Sequence, residues 1–357
     1  MRKSTAQTSR MVAGLDLGDR YSRFCTLDPD GEVVEEGRIA TTQQALRRKF
    51  EGADPMLVVF EVGTHSPWVD RLLRSLGHET IVANAGQVAL IYRNERKHDR
   101  KDARSLAELG QFKPSLLHPI RHRSEETQAV RALVRSRDTL VKSRTQFINH
   151  VRGVVKASGS RLPRCSAESF ARKVATGIAE ELRGGLGPVL GFIEKLNLQI
   201  RAYDRKIEKI CDEQFPITEV LRQVPGVGPL TALWYVLTIE EPTRFKRSRD
   251  VGPFLGLVPR LDQSGEQDPQ RRITKAGDHL MRRLLVGSAH YILGPFGPDC
   301  DLRRHGLKIA ERGGKNAKKR AVVAVARKLS VLLHHLWVTA EVYEPFYKSA
   351  QEVQAAA

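Results

Sequence analysis

The chain is poor in cysteine, and its few cysteines are scattered. Cys25, Cys165, Cys211 and Cys300 form no CxxC pair, and none has a histidine at the spacing of a shared metal ligand. This pattern argues against a disulfide framework and against a structural zinc site. Isolated thiols are typical of proteins that work in a reducing compartment. We therefore expect a cytoplasmic protein.

Long apolar runs are also missing from the sequence. No run approaches the roughly 18–20 residues that cross a bilayer, and residues 1–10 are polar, without the apolar core of a secretory signal. We therefore expect no membrane partner and no export.

Acids are scarce relative to bases. The chain has 59 Lys and Arg against 41 Asp and Glu, a net charge of +18 and a pI near 10.0. This balance favours a polyanionic partner such as nucleic acid. With 41% hydrophobic and 28% charged residues the composition is that of a globular protein, and 357 residues exceed the usual size of a single core. We therefore expect more than one domain.

Residues 11–120 alternate strand and helix signals. Three strands come first, with the strong turn signal Asp28-Pro29-Asp30-Gly31 before the third. Helix, strand, helix and strand follow, ending at Val82. This order predicts an α/β domain of the ribonuclease-H type over residues 11–120.

Residues 121–215 carry the signals of two long helices. Apolar pairs recur every seven residues from Leu133-Val134 to Val154-Val155, and a second apolar seam runs from Phe192 to Ile210. Gly, Ser and Pro interrupt the segment between them, Ala157 to Pro188. The pattern predicts an antiparallel hairpin or a coiled-coil stalk for oligomerisation, and two ordinary core helices are the alternative. Residues 216–345 are predicted to form a helix-rich C-terminal domain.

Four acids of the first domain are candidates for one site. Asp16 ends the first predicted strand and Glu61 ends the fourth, and Asp99 and Asp102 are three apart at the start of a helical stretch. Carboxylates gathered together raise one another's pKa unless a cation neutralises them. Hard oxygen ligands suit Mg²⁺ or Mn²⁺, the ions that assist phosphodiester cleavage. The alternative is that each acid caps a turn or a helix start.

The first strand also resembles the phosphate loop of actin-like ATPases and sugar kinases, through Gly14-Leu15-Asp16-Leu17-Gly18. Those enzymes need a second glycine-rich loop and an adenosine motif. No Asp-Gly-Gly-Thr-like segment is present, and the basic pI is unusual for a metabolite kinase, so we set this interpretation aside.

Several features of the last domain suit contact with phosphates. Val224 to Ala232 resembles the turn of a helix-hairpin-helix, in which glycines let backbone amides approach a phosphate at a helix N-terminus. An ordinary turn that begins a helix is the equal alternative. The candidate nucleic-acid contacts are Gly226, Gly228, Arg271, Arg272, Lys275, Arg282, Lys318, Lys319 and Arg320.

Ser264-Gly265 reads by composition as a simple turn. A serine hydroxyl is a weak nucleophile without a base or nearby cations. No His-Asp pair is adjacent in the sequence. The neighbouring residues that could supply such cations are Arg271, Arg272, Lys275, Arg282 and Arg283.

These motifs together resemble the insertion-sequence-110 transposases. The first half matches through Gly14-Leu15-Asp16, Glu61 before the Trp68 helix, and Lys97-x-Asp99-x-x-Asp102-Ala103. The second half matches through Pro225-Gly226-Val227-Gly228, Gly256-Leu257-x-Pro259, Ser264-Gly265 and Ile273-x-Lys275-x-Gly277. The resemblance covers roughly residues 11–340. One departure is the longer turn Val62 to Trp68 after the glutamate.

The resemblance implies a RuvC-like N-terminal domain and a C-terminal serine transposase domain. It implies a DNA recombinase that excises and inserts its own element, guided by a non-coding bridge RNA, on donor and target DNA. It further implies a composite active site, in which Asp16, Glu61, Asp99 and Asp102 bind divalent metal and Ser264 forms a transient phosphoserine bond to DNA. A homodimer or homotetramer is expected, with the serine and the acids acting in one chain or across two.

Two other functions remain open at this stage. One is a metal-dependent nuclease of the junction-resolving type, which uses water and forms no covalent intermediate. The other is a non-catalytic nucleic-acid-binding protein whose acids serve only as caps.

Overall fold

The computed structural model describes residues 10–84, 99–263, 269, 271–314 and 316–347, with the backbone alone for 99–101. The predicted nucleophile Ser264, its neighbour Gly265 and Lys97 lie outside the described residues. The chain divides into two compact units between Ser124 and Glu125.

The N-terminal unit is built on a five-stranded mixed sheet. Its strands are β1 (Val12–Asp16), β2 (Tyr21–Leu27), β3 (Val33–Ala40), β4 (Leu57–Glu61) and β5 (Glu79–Ala83). The spatial order is β3-β2-β1-β4-β5, with β1–β2 and β2–β3 antiparallel and β1–β4 and β4–β5 parallel. Three antiparallel strands followed by two parallel crossovers confirm the predicted ribonuclease-H-like order.

Helices cover both faces of this sheet. They are α1 (Gln43–Phe50), α2 (Ser66–Ser75) and α3 (Asp99–Phe112). Residues alternate between the faces along each strand. Leu15 and Phe60 therefore pack with Leu46 of α1 and Val69 of α2. On the opposite face, Val59 and other strand residues form a second core with α3.

The C-terminal unit is helical. Its helices are α4 (Glu125–Ala157), α5 (Phe170–Val174), α6 (Glu180–Gln214), α7 (Ile217–Arg222), α8 (Pro229–Ile239), α9 (Val251–Phe254), α10 (His279–Leu293), α11 (Asp301–Ala310) and α12 (Ala317–Thr339). The prediction of a helix-rich C-terminal region is confirmed.

The long helices α4 and α6 pack antiparallel. Arg137 donates a hydrogen bond to Asp204, and Arg144 donates one to Asn197. Moving seven residues forward along α4 therefore corresponds to moving seven residues back along α6. The buried residues near the hairpin tip include Val151 and Ile193. At the other end Val134 and Ile207 join the core of the C-terminal unit. The pair is thus a hairpin at one end and part of an ordinary core at the other.

Two details of the predicted seam are wrong. Phe192 is 57% exposed, and its neighbour Ile193 is fully buried, because the helix turns the adjacent position toward α4. Pro188 lies inside α6 rather than in the connecting segment. Helix α6 therefore begins earlier than the Gly- and Pro-rich sequence indicates.

Helix α12 forms the centre of the C-terminal core. Ala321, Val325, Leu329 and Leu333 are all fully buried. The helix is long and apolar enough to cross a membrane by length and composition alone, which corrects our statement that no segment approaches this length. Core helices of soluble proteins pass the same test. Its apolar character follows from packing against several neighbouring helices.

Candidate functional site

The carboxyl ends of β1 and β4 bring two acids side by side. The strands are parallel, and Leu15 pairs with Phe60. Asp16 and Glu61 are the next residue on each strand and therefore lie opposite each other. Neighbouring strands lie about 4.8 Å apart. Residues two or four apart on a strand share a face of the sheet. Val12 lies four residues before Asp16 and Val59 two residues before Glu61, and both valines pack with α3. Asp16 and Glu61 therefore lie on the face of the sheet that α3 covers.

Helix α3 approaches β1 very closely at Gly14. A Cβ atom at Gly14 would lie 2.0 Å from the Ala103 carbonyl oxygen and 2.6 Å from the Ala107 nitrogen. Gly110 is similarly close to Val59. The glycine of the first-strand motif is thus required by packing, since any side chain would push the helix away.

The direction of α3 places its N-terminal acids at the same edge. Its C-terminal part lies near the start of β1, since a Cβ atom at Gly110 would lie 3.4 Å from Val12 Cγ1. In the same part of the helix, Gln111 donates to the Asp28 carbonyl oxygen at 2.8 Å. The opposite end of the helix, with Asp99 and Asp102, therefore extends toward Asp16. Three separate segments bring four predicted acids to one end of the sheet.

The ligand set is chemically suited to a divalent ion but is not assembled among the described side chains. Among the side chains that the structure describes, no group of three His, Cys, Asp or Glu is close enough to hold a metal ion. The strand partner of Asp16 on β2 is Arg23. Carboxylate oxygens from adjacent strands are nevertheless the donors that Mg²⁺ and Mn²⁺ prefer.

A histidine that the sequence analysis missed lies in the loop after Glu61. The Trp68 indole donates to Nδ1 of His65 at 3.1 Å, and His65 Nε2 is 3.8 Å from Asp19, which follows β1. Because Nδ1 accepts, a neutral His65 carries its proton on Nε2. The Ser66 hydroxyl bonds to both backbone groups of Gly63 and fixes this loop. The sequence signal for this contact was the spacing of three residues between His65 and Trp68 at the start of α2.

The segments that flank Ser264 are tied together. The Arg260 amide donates to the Arg272 carbonyl oxygen at 3.0 Å, and the Thr274 amide donates to the Val258 carbonyl oxygen at 2.9 Å. Closer to the serine in sequence, Asp262 and Arg271 form a 2.8 Å ion pair. The two arms of the loop are thus held as a short antiparallel pair.

Glycines at the base of this loop are needed for close packing. Gly256 has φ of +66°, and a Cβ there would lie 2.3 Å from the Ala276 nitrogen. Gly277 has φ of +70°, and a Cβ there would lie 2.3 Å from the Phe254 carbonyl oxygen. These two motif glycines allow the backbone segments at the base of the loop to approach each other closely.

A buried polar network supports the same base. Asp278 accepts from the Met281 amide at the start of α10, from the Trp234 indole at 2.9 Å and from Arg131 of α4. The Arg131 guanidinium also stacks 4.2 Å from the Trp234 ring. Burial favours the neutral acid, but these hydrogen bonds and the charges of Arg131 and Arg135 outweigh it and hold the pKa of Asp278 below its usual value. Sequence reasoning missed this network because its members are far apart in the chain.

A basic groove of about 1840 Å³ collects many of the predicted cations of the C-terminal unit. It is lined by the return arm of the serine loop and by α11 and α12. Among the described residues, the Lys and Arg side chains that line it are Arg271, Arg272, Lys275, Arg304, Lys308, Arg312, Lys319, Arg320, Arg327 and Lys328. The acids in its lining are Asp301 and Glu344. The field in this groove is thus strongly positive and suits a polyanion.

The other predicted contacts lie outside this lining. Arg282 donates to the Leu255 and Ala276 carbonyl oxygens and so supports the loop base. Lys318 is exposed at the start of α12. Gly226 has φ of +80° and packs against Tyr291, whereas Gly228 is exposed at the N-cap of α8 with open space beside it. The turn connects α7 to α8 and has one exposed glycine, Gly228.

Comparison with known proteins places both units in one family. Residues 13–158 match a family model described as a transposase, and residues 218–296 match one described as the transposase IS116/IS110/IS902 family. The chain is 30% identical over 342 residues to the transposase for insertion sequence element IS1111A of Coxiella burnetii, covering 93% of this chain and 91% of that protein. It is 28% identical over 284 residues to the transposase for insertion sequence element IS1328 of Yersinia enterocolitica, covering 78% and 82%.

The N-terminal match identifies the mixed sheet and its helices as a DEDD transposase domain of the ribonuclease-H and RuvC-like type. A domain of this type suggests dependence on a divalent metal. With relatives that extend over most of its length, the chain belongs to the IS110 family of transposases.

Proposed function

We propose that this transposase excises and inserts a mobile element with two groups, a divalent metal held by Asp16, Glu61, Asp99 and Asp102, and the Ser264 hydroxyl. Family membership implies strand transfer on DNA. The observation that supports the metal site most is the placement of acids from β1, β4 and α3 at one end of the sheet. A fold that served only for binding would not require several like charges at the same end of the sheet.

The four carboxylates supply hard oxygen ligands. A bound Mg²⁺ or Mn²⁺ would polarise a DNA phosphate oxygen and offset the charge that develops there. Asp16 and Glu61 are held by strand register, and Gly14 lets α3 bring Asp102 toward them. Rigid strands and a tightly packed helix fix such ligands better than loops do.

Ser264 acts as the nucleophile. A bond forms between its Oγ and the phosphorus, and the bond from phosphorus to one sugar oxygen breaks. The serine proton passes to solvent, and the departing sugar oxygen takes up a proton. The phosphoester energy is kept in the protein–DNA link, so strands can be rejoined without ATP. Arg271, Arg272 and Lys275 lie on the return arm of the loop, where their charges favour both the alkoxide and the five-coordinate phosphorus.

The three predicted segments of the chain have separate roles. Residues 11–120 hold the metal, residues 121–215 form a coiled-coil stalk that joins copies into a homodimer or homotetramer, and residues 216–345 carry the serine. A bridge RNA selects donor and target DNA by base pairing, while basic residues hold the backbone. Gly228, with open space beside it, suits a backbone contact with phosphate as in a helix-hairpin-helix.

A trapped-adduct experiment tests the serine. The full-length protein is incubated with Mg²⁺ and DNA carrying the element ends, quenched in detergent and resolved by gel. We expect a protein–DNA adduct that is lost in Ser264→Ala and kept in Ser160→Ala, which removes an exposed serine of the same unit. An adduct that survives Ser264→Ala would overturn the serine assignment.

The same experiment distinguishes the alternatives. Metal-dependent cutting without any adduct would identify a junction-resolving nuclease that uses water. Binding of DNA without cutting, unchanged in Asp16→Asn, would identify a non-catalytic binder. The guide is tested by comparing protein purified with and without the non-coding RNA encoded beside the gene. Only the RNA-loaded protein should insert DNA at a specific target.

A further inference from the structure

The basic groove is too large for a metabolite. Its volume of about 1840 Å³ exceeds the range of about 300–1,000 Å³ that is usual for small-molecule pockets. Its cations are spread along two helices: Arg304 and Lys308 lie one turn apart on α11, and Arg320 and Arg327 lie two turns apart on α12. Positive charges repeated along a groove follow a polymer of negative charges rather than a single anion.

The floor of the groove is apolar. Ile273, Val323 and Val331, which are partly exposed, line it between the charged side chains. A DNA duplex presents its charged backbone outward and keeps its bases stacked inside, so it would lay phosphates on this floor. A single strand exposes the faces of its bases, and these faces gain from contact with apolar and aromatic side chains.

An aromatic side chain is held at the edge of the groove. Tyr347 lines it and is 48% exposed. The segment before it is fixed, because the Asp301 amide donates to the Pro345 carbonyl oxygen at 2.8 Å and the Arg304 guanidinium lies 4.6 Å from the centre of the Phe346 ring. The Tyr343 amide also donates to Gln223 at 2.9 Å. These contacts hold Tyr347 at the edge of the groove, where its ring can stack with a base.

We infer that this groove binds a single strand of DNA, with phosphates on the cations and bases against the apolar floor and Tyr347. The inference rests on the proposed function, since strand exchange produces unpaired DNA beside the serine loop. That loop contributes Arg271, Arg272 and Ile273 to the groove lining. The groove would hold a cleaved or displaced strand close to where it is rejoined.

Fluorescence anisotropy on the full-length Ser264→Ala protein, without divalent metal, tests this inference. The probes are an oligothymidine of about a dozen nucleotides, a duplex of equal length and an RNA of equal length. We expect the single DNA strand to bind at least about tenfold more tightly than the duplex. Tyr347→Ala should weaken single-strand binding about tenfold and leave the duplex unchanged, and Tyr347→Phe should retain wild-type affinity.

Charge variants provide the matched control. Lys308→Gln with Arg320→Gln should lower the dependence of log affinity on log salt by about 1.4, whereas Arg172→Gln with Lys173→Gln, two exposed cations of α5, should leave it unchanged. Equal or tighter duplex binding, or no effect of Tyr347→Ala, would overturn the inference. Tighter RNA binding would overturn the assignment to DNA. Because no cleavage is measured, these results are independent of the adduct experiment.

Discussion

The two units place their candidate functional groups in different ways. In the N-terminal unit the acids lie at the ends of strands and at the start of a helix, so the backbone fixes their positions. In the C-terminal unit the cations come from a loop and from two helices that line one groove. A site fixed by strand register tolerates little backbone change, whereas a distributed charged surface tolerates loss of single members. The two units should therefore respond differently to substitution.

The largest effect is expected where backbone contact is tightest. Gly14→Ala should destabilise the N-terminal unit by about 3 kcal/mol, because its Cβ would meet the Ala103 carbonyl oxygen at 2.0 Å. Urea unfolding followed by amide hydrogen exchange in β1 and β4 measures the change. Gly63→Ala, which has open space beside it, is the control and should have little effect. Equal stability of the two variants would show that α3 is not pressed against β1.

A similar sensitivity should exist at one point of the helical unit. Arg131→Met should cost about 2–3 kcal/mol in the free energy of unfolding, because it removes a buried charge partner of Asp278. Arg135→Met is the matched control, since Arg135 is exposed and lies 5.9 Å from the same Trp234 ring. Chemical denaturation of both variants gives the comparison, and an equal loss would contradict a special role for Arg131.

The pH dependence of this network has a defined sign. The pKa of Asp278 is lowered in the folded state, so its charge adds stability above the unfolded pKa of about 3.9, and this is lost as pH falls through the lower folded value. Asp278→Asn keeps the cap of α10 and should cost about 1 kcal/mol at pH 7. The difference from wild type should shrink below pH 4 in denaturation experiments. A difference that grows on acidification would contradict this assignment.

The smallest effect is expected on the exposed face of the hairpin. Phe192→Ala should change the unfolding free energy by less than about 0.5 kcal/mol, because the ring is 57% exposed. Ile193→Val, a smaller truncation at a fully buried neighbour, should cost about 1 kcal/mol. Thermal denaturation ranks the two. The reverse ranking would show that a partner copy covers Phe192.

Much of the N-terminal unit could be predicted because its signals are local. Apolar runs that end at Asp16 and Glu61 define two strands, and the Asp28–Gly31 turn fixes the connection before β3. Ribonuclease-H-like strand order then follows from the sequence of elements. The close approach of α3 at Gly14 could not be predicted, since it depends on the tertiary path of a helix some 85 residues later.

The C-terminal unit was less predictable because its determinants are distant in sequence. The cations Lys318, Lys319 and Arg320 could be identified from the sequence. The groove that α11, α12 and the serine loop form together could not. The network of Arg131, Trp234 and Asp278 joins residues up to 147 positions apart. Periodicity located the hairpin helices but chose Phe192 over Ile193, since a seven-residue repeat does not fix which adjacent position faces the partner.

The proposed binding of a divalent ion by Asp16 and Glu61 can be tested by Mn²⁺ titration, followed by calorimetry or electron paramagnetic resonance. The full-length protein should bind Mn²⁺, and Asp16→Asn with Glu61→Gln should abolish that binding while far-ultraviolet circular dichroism stays unchanged. Asp19→Asn, on the neighbouring turn, should bind Mn²⁺ as the wild type does. Undiminished Mn²⁺ binding by the double variant would show that Asp16 and Glu61 do not hold the ion.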